Sequence, residues 1–427
     1  MTTTFIPPQA RQLASDTCEL IKGLVSVEQA QELMIGAAFH HGTLQRIPLN
    51  KAAGRVLGKN QTAPVALPRF DNSAMDGYAL AGVGHHSAFN LAGRVAAGDS
   101  GALTLRSGEA ARIMTGAPLP VGCEAVVMQE NVTVDDCTII PHRTVQPRDN
   151  IRNAGEDVAK GELLAYARTR LDARAIAILA SAGIATVEVV RKLKIRVMST
   201  GNELVETGLT LAQGQITDVN RPMILAALSD PALTLIDGGI VCDEPEALEL
   251  AISMAATSCD ILIMTGGASV GDADFTADVI RKMGGQLQVH KVALKPGKPF
   301  LFGSVKGMTI FGLPGNPVSA FVTALLFVRP YLRASLGLPR RQMAFSPATA
   351  AFAEHRSAGR TEFVPARVVG TDAAGYPLIE KLGRGGSARL SPLVFADGLA
   401  RIEAETTEVR PGERLSFFPF ETPLSLG

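Results

Sequence analysis

Between residues 191 and 338, short apolar runs alternate with runs of helical spacing: IRVMS, PMILAAL, LTLID, EALELAISMAA, DILIM, FTADVIRKMG, MTIFG and VSAFVTALLFVRPYL. Strands separated by helices cannot pair as hairpins, so this alternation restricts the stretch to βαβ units and a mostly parallel sheet covered on both faces. In such sheets ligands sit beyond the carboxyl ends of the strands. The loops that leave a strand for a helix therefore carry the most information.

Three of these loops are rich. MSTGNEL carries Ser199, Thr200, Gly201 and Glu203. MTGGASVGDADF carries Gly266, Gly267, Ser269 and the carboxylates Asp272 and Asp274. GLPGNPVSA offers Gly315, then Asn316 as a predicted N-cap, Pro317 pre-set for the first helical position, and Ser319. Just before it, HKVALKPGKPF places Lys291, Lys295 and Lys298 among prolines and a glycine. Cations and Gly-rich loops at one sheet edge predict a phosphate or oxyanion pocket.

Other motifs fail on context. Gly267, Ser269 and Gly271 match the G-x-S-x-G nucleophile elbow, but GDAD intervenes where the helix should start directly behind the serine. There is no G-x-x-x-x-G-K-[ST] and no G-x-G-x-x-G after a strand, which removes the main support for NTPase and dinucleotide readings. His85 and His86 are adjacent and read as loop residues, not metal ligands.

A chain of 427 residues suggests about two to four domains. From 61 to 155 the texture is β-rich, with ARIMTG, EAVVMQE and TIIPH between Gly, Pro and Asp turns. Helical spacing frames it, in the run that Ser26 and Gln29 cap and in LDARAIAILASAG. The β-rich domain is therefore expected as an insertion into a discontinuous linker or dimerisation domain, 1–60 and 156–190. The α/β domain, 191–338, follows, and then a barrel-like β domain, 339–427. The expected fold class is multidomain α/β.

Lys plus Arg and Asp plus Glu both number 41, so no global field draws nucleic acid or an anionic membrane and any anion site must be local. The five cysteines are scattered without a Cys-x-x-Cys, and no apolar run reaches the ~18 residues of a spanning helix. With an N-terminus that lacks the pattern of a signal peptide, a soluble cytoplasmic protein is expected. Taken alone, the residues describe a phosphoester-binding α/β enzyme that needs a divalent metal held by carboxylates.

Longer strings narrow this. PRFDNSAMDGYA, RIMTGAPLP, NIRNAGEDV, STGNEL, TDVNR, TGGASVGDADF, KVALKPGKPF and GLPGNPVSA occur in this order. Together they resemble the successive signatures of the molybdopterin molybdenumtransferases, the bacterial MoeA proteins, and of the gephyrin E domain. The resemblance implies the last step of molybdenum cofactor synthesis. Molybdate and adenylylated molybdopterin react, metal enters the dithiolene, the phosphoanhydride is cleaved and AMP leaves, with Mg²⁺ assisting. It also implies a homodimer whose active site is shared between the α/β domain of one subunit and the β-rich domain of the other, with other cofactor-synthesis proteins as candidate partners.

Carried over by motif, the expected catalytic positions are Asp76, Thr115, Asp157, Glu203, Asp243, Asp274, Lys291 and Lys295. Glu203, Asp243 and Asp274 are the expected Mg²⁺ ligands. Substrate contacts are expected from Ser199, Thr200, Gly201, Asp218, Asn220, Gly266, Gly267, Ser269, Lys298, Gly315, Asn316, Pro317 and Ser319. Arg360 and Ser387 are weaker candidates for an oxyanion-binding surface. Two other readings stay open: a non-catalytic dimeric scaffold of gephyrin type, and a pyrophosphohydrolase indifferent to molybdate.

Overall fold

The structure, a computed structural model, describes residues 24–39, 42–266, 275–340, 343–383 and 388–420. The chain forms two compact units, one from Arg46–Ala53 and Leu57–Val189, the other from the remaining segments.

The first unit is β-rich. Strands Gly77–Leu80, Phe89–Val95, Glu109–Ile113, Ala125–Met128, Val132–Asp135 and Thr138–Pro141 form one six-stranded sheet. Its strands bury side chains on both faces, with Ala79, Ala111, Ile113 and Val126 in one cluster and Leu80, Phe89, Ala125 and Val127 in another. That follows from the period of two along a strand. Helix Ala173–Ser181 belongs to the same unit and is capped by Asp172, whose carboxylate accepts from the Ala175 N–H at 2.9 Å.

In the second unit the α/β domain runs β1 (Leu193–Thr200), α1 (Asn220–Ala227), β2 (Leu233–Val241), α2 (Pro245–Ala256), β3 (Ile261–Thr265), α3 (Phe275–Lys282), β4 (Gln286–Lys291), β5 (Leu294–Lys295), β6 (Pro299–Val305), β7 (Met308–Leu313) and α4 (Pro317–Thr323). The sheet order is β2-β1-β3-β7-β6-β4. The first four strands are parallel; β6 is antiparallel to both its neighbours. The mostly parallel sheet is thus present, with an antiparallel edge, β6 and β4, on either side of the lysine-rich stretch. In β3, Ile261 and Ile263 face one core cluster while Leu262 and Met264 face the other, which is why this strand is an unbroken apolar run.

Helix α4 continues through a π turn at Ala324–Val328 into a helical segment, Arg329–Ser335. Pro330 has no N–H, so the carbonyl four residues earlier, Leu326, loses its α-helical donor. Gln31, from the capped helix Val27–Gly36, supplies a substitute through its side-chain amide at 2.8 Å.

The C-terminal domain contains β8 (Ser346–Ala350), β9 (Thr361–Thr371), β10 (Pro377–Lys381), β11 (Gly398–Ile402) and β12 (Arg414–Pro419). They pair in the order β9-β10-β8-β12-β11, and β11 pairs back to β9, closing a five-stranded barrel. Strand β5 of the α/β domain adds alongside β9, with Lys295 opposite Glu362. Phe363, Leu399 and Phe418 of the barrel join the same core cluster as Phe300, Phe311 and Phe327.

At the β9–β10 hairpin, Asp372 accepts hydrogen bonds from Thr349 Oγ1 and from the Ala374 and Tyr376 N–H groups, and Arg414 lies over the Tyr376 ring. These contacts, the Thr349 bond first, hold the Asp372 carboxyl down at about 2, from an ordinary 3.8. Because the folded pKa lies below the unfolded one, the contribution is complete above about pH 5 and is lost as pH falls through about 4 toward 2. Urea unfolding at pH 6 and pH 3 should show that Asp372→Asn loses stability relative to the unaltered protein at pH 6, with the gap narrowing at pH 3.

Candidate active site

The carboxyl ends of β1, β3 and β7 meet in a floor of short polar side chains and glycines. Ser199 Oγ donates to Asp218 Oδ1 and lies within hydrogen-bond distance of Thr265 Oγ1, both at 2.9 Å, and all three residues are buried. Asn220, at the start of α1, donates from its amide to the Gly315 carbonyl at 2.7 Å and so ties α1 to the loop before α4. Gly266, with φ +107°, ends β3 in a conformation that L side chains rarely adopt, and a Cβ there would lie 2.1 Å from the Thr200 carbonyl oxygen. Only glycine lets β1 and β3 end this close together.

Beneath the floor, Arg221 gathers three carboxylates. Its Nε lies 3.2 Å from Asp218 Oδ2 and its Nη1 3.0 Å from Asp237 Oδ1, and Nη2 donates to Glu206 Oε2. The Glu206 bond foremost, with Asp237 and Asp218, raises the Arg221 pKa against the opposing effect of its burial. Glu206 lies on the exposed stretch that also carries Glu203, so one guanidinium fixes both the floor and its border.

Above the floor lies a cavity of about 770 Å³, bounded by the α/β loops on one side and the barrel on the other. The α/β side presents Thr200, Glu203, Asn220, Lys295, Lys298 and Asn316, with Gly266, Gly315 and Ser319 among them. The barrel side presents Glu354, Arg360, Glu362, Lys381 and Arg389. Lys381 pairs with Glu354 at 2.6 Å and Lys295 with Glu362 at 3.1 Å.

This cavity therefore brings together many of the positions singled out from sequence, with Ser199 and Asp218 packed in the floor. Pro317 opens α4 as expected, whereas Asn316 holds the N-cap position without a side-chain bond to the first turn. Asp243 and Lys291 are not part of the described lining. Asp243 donates its main-chain N–H to Asn202 Oδ1 at 3.0 Å, and Lys291 ends β4. Gly201 follows β1, its N–H 3.4 Å from the Val241 carbonyl. Gly267, Ser269, Asp272, Asp274 and Ser387 lie outside the described residues.

In the other unit, Asp76 Oδ1 accepts from both the N–H and the hydroxyl of Thr115 at 2.7 Å. The Thr115 N–H first and its hydroxyl second hold that carboxyl below its usual range. Asp157 is exposed, its N–H donating to the Leu67 carbonyl at 3.0 Å.

Comparison with known proteins assigns this architecture. Residues 25–183 match the MoeA N-terminal region (domain I and II), 196–334 a probable molybdopterin binding domain, and 347–420 the MoeA C-terminal region (domain IV). A Haemophilus influenzae protein named molybdopterin molybdenumtransferase is 37% identical over 93% of this chain and 99% of its own length. The chain belongs to the MoeA family. A Mycobacterium tuberculosis relative, molybdopterin molybdenumtransferase 2, is 33% identical over 86% of this chain and 93% of its own. A solved molybdopterin biosynthesis MoeA protein from Pyrococcus horikoshii covers 93% of this chain and 100% of that one at 31% identity, with a TM-score of 0.79.

Within this MoeA fold, the residues that sequence reading passed over are Thr265, Arg221, Glu206, Asp237, Glu354, Glu362, Lys381 and Arg389. Arg221 stood in plain view in TDVNR, three residues after Asp218, at the spacing of a helical ion pair. The barrel residues sit in ordinary strand and turn strings with no spacing signal.

Proposed function

We propose that this MoeA family member carries out molybdenum cofactor synthesis by joining molybdate to adenylylated molybdopterin, with cleavage of the phosphoanhydride and release of AMP. The observation that carries the reading is the cavity at the sheet's carboxyl edge, where Lys295, Lys298, Arg360, Lys381 and Arg389 stand against Glu203, Glu354 and Glu362. Such a set answers phosphate and oxyanion charge, and positioned charge is most of what phosphoryl chemistry asks of a protein. Lys295 and Lys298 act as point charges on the phosphates or molybdate, with Lys291 nearby in sequence on the same lysine-rich stretch.

Magnesium belongs to the reading only in part. No group of three His, Cys, Asp or Glu side chains able to hold a metal occurs among the described residues, and Asp274 lies outside them. The described residues do not by themselves fit the ion, and no step here runs through it. A cytoplasmic location and a homodimer complete the proposal, with Asp76, Thr115 and Asp157 of one subunit serving the other's cavity. No helix among the described residues is long and apolar enough to cross a membrane.

The test is AMP release from adenylylated molybdopterin with and without molybdate, alongside activation of a cofactor-free molybdoenzyme. Molybdate-dependent AMP release with activation is expected. Lys295→Ala should mainly weaken binding, by about tenfold to a hundredfold, and Glu203→Gln should mainly lower turnover. AMP release that ignores molybdate and activates nothing would favour a pyrophosphohydrolase, and a folded dimer that releases none would favour a scaffold. Mixing Asp76→Ala with Lys295→Ala chains should restore part of the activity if subunits share the site.

A further inference from the structure

Glu362 sits on β9 with its side chain only 6% exposed, yet it touches two cations. Lys295 Nζ is 3.1 Å from Oε1, and Arg356 Nε is 3.0 Å from Oε2. The two cations are not equivalent. Arg356 is 2% exposed and committed on every side, with Nη1 donating to the carbonyls of Glu403 and Thr406 and Nη2 to the carbonyl of Arg360. Lys295 is 44% exposed and faces the cavity, and an ammonium has three donors of which this pair takes one.

A buried carboxylate with a single partner would hold that partner tightly, because losing it would leave an uncompensated charge. Here Arg356 stays in place whatever Lys295 does. Lys295 is aimed by Glu362 and by the β5–β9 ladder, yet it can turn its remaining donors to an incoming oxyanion while Glu362 stays paired.

We propose that Glu362 is the positioning residue of Lys295, and that Arg356 is the fixed counter-charge that lets Lys295 engage a phosphate or molybdate oxygen without stranding Glu362. This rests on the molybdate-insertion reading for its ligand. Glu362→Gln keeps the shape and the Arg356 carbonyl bonds but removes the charge that both Lys295 and Arg356 answer, so its cost to folding is measured apart from its effect through Lys295.

The experiment is a double-mutant cycle in AMP release, with Lys295→Ala, Glu362→Gln and the pair, and melting temperatures measured for each. Glu362→Gln is expected to lower kcat/KM by about tenfold in the unaltered background and by less than about twofold beside Lys295→Ala, since its effect passes through that lysine. Equal losses in both backgrounds would show a merely structural role and overturn the proposal. Should Glu362→Gln fail to fold, Glu362→Asp keeps the charge and withdraws it from Lys295, and the same non-additivity is expected.

Calorimetric binding of molybdate and, separately, of inorganic phosphate keeps the failure of the two proposals apart. If the unaltered protein releases no AMP, the proposed reaction falls, but a Kd for either anion raised about tenfold by Glu362→Gln still supports the positioning role. A Kd unchanged by Glu362→Gln for both anions, or no binding of either by the unaltered protein, overturns it.

Discussion

Arg221→Met is expected to destabilise the unit that holds the α/β domain by about 3–5 kcal/mol, the range seen when one partner of a buried ion pair is removed. The loss comes chiefly from Asp218, which is 1% exposed and would keep its carboxylate against a buried floor with the Ser199 hydroxyl and one main-chain N–H, that of residue 221, on Oδ1 and none on Oδ2 among the described residues. Glu206 and Asp237, about half exposed, can turn to water and contribute less. Urea unfolding followed by far-ultraviolet circular dichroism measures this, since the chain has no tryptophan to report by fluorescence. Arg221→Lys should lose less, because it keeps the charge but not the fork that reaches three carboxylates. Adding Asp218→Asn to Arg221→Met should recover part of the loss. If Arg221→Met costs under about 1 kcal/mol, the hub does not hold the floor.

Gly266→Ala should lower turnover by about a hundredfold, the scale on which a 1 Å misplacement of catalytic geometry acts. The added Cβ would fall 2.1 Å from the Thr200 carbonyl, so β1 and β3 must part at the cavity floor, and the positive φ adds strain of its own. Gly284→Ala is the control. Its φ is also positive, +76°, but nothing lies within 4 Å of the new Cβ, so a loss of about 1 kcal/mol with unaltered turnover is expected there. AMP release per folded enzyme compares the two, and equal effects would mean that backbone strain alone, not the close approach at Thr200, governs Gly266.

What the sequence made legible was local. Period-two and period-3.6 patterns gave the sheet and its helices because each strand is short, apolar and bounded by turn residues, and the strand-to-helix loops declared themselves through Gly, Asn, Pro and Lys. Strands β4 and β6 were less visible. Gln286–Lys291 mixes polar residues as an edge strand does, and Pro299–Val305 starts among prolines and a glycine that mask its apolar run. Glu362 and Arg356 were illegible for another reason: a carboxylate six residues from an arginine in a β-rich string has no meaning until a barrel folds and brings a lysine from another domain beside it. The chemistry of a strand-to-helix loop is written within ten residues, but that of a wall between domains is spread over seventy.

Strand β5 carries one last consequence. Two stretches that match separate sequence families, 196–334 and 347–420, share backbone hydrogen bonds at Lys295 and Glu362 and one continuous apolar interior. They are modules to evolution, yet they belong to one compact unit of this chain. The cleft between them therefore takes its two walls from both modules, and neither module alone encloses it. A chain cut near residue 340 would lose a wall of the vessel along with a domain.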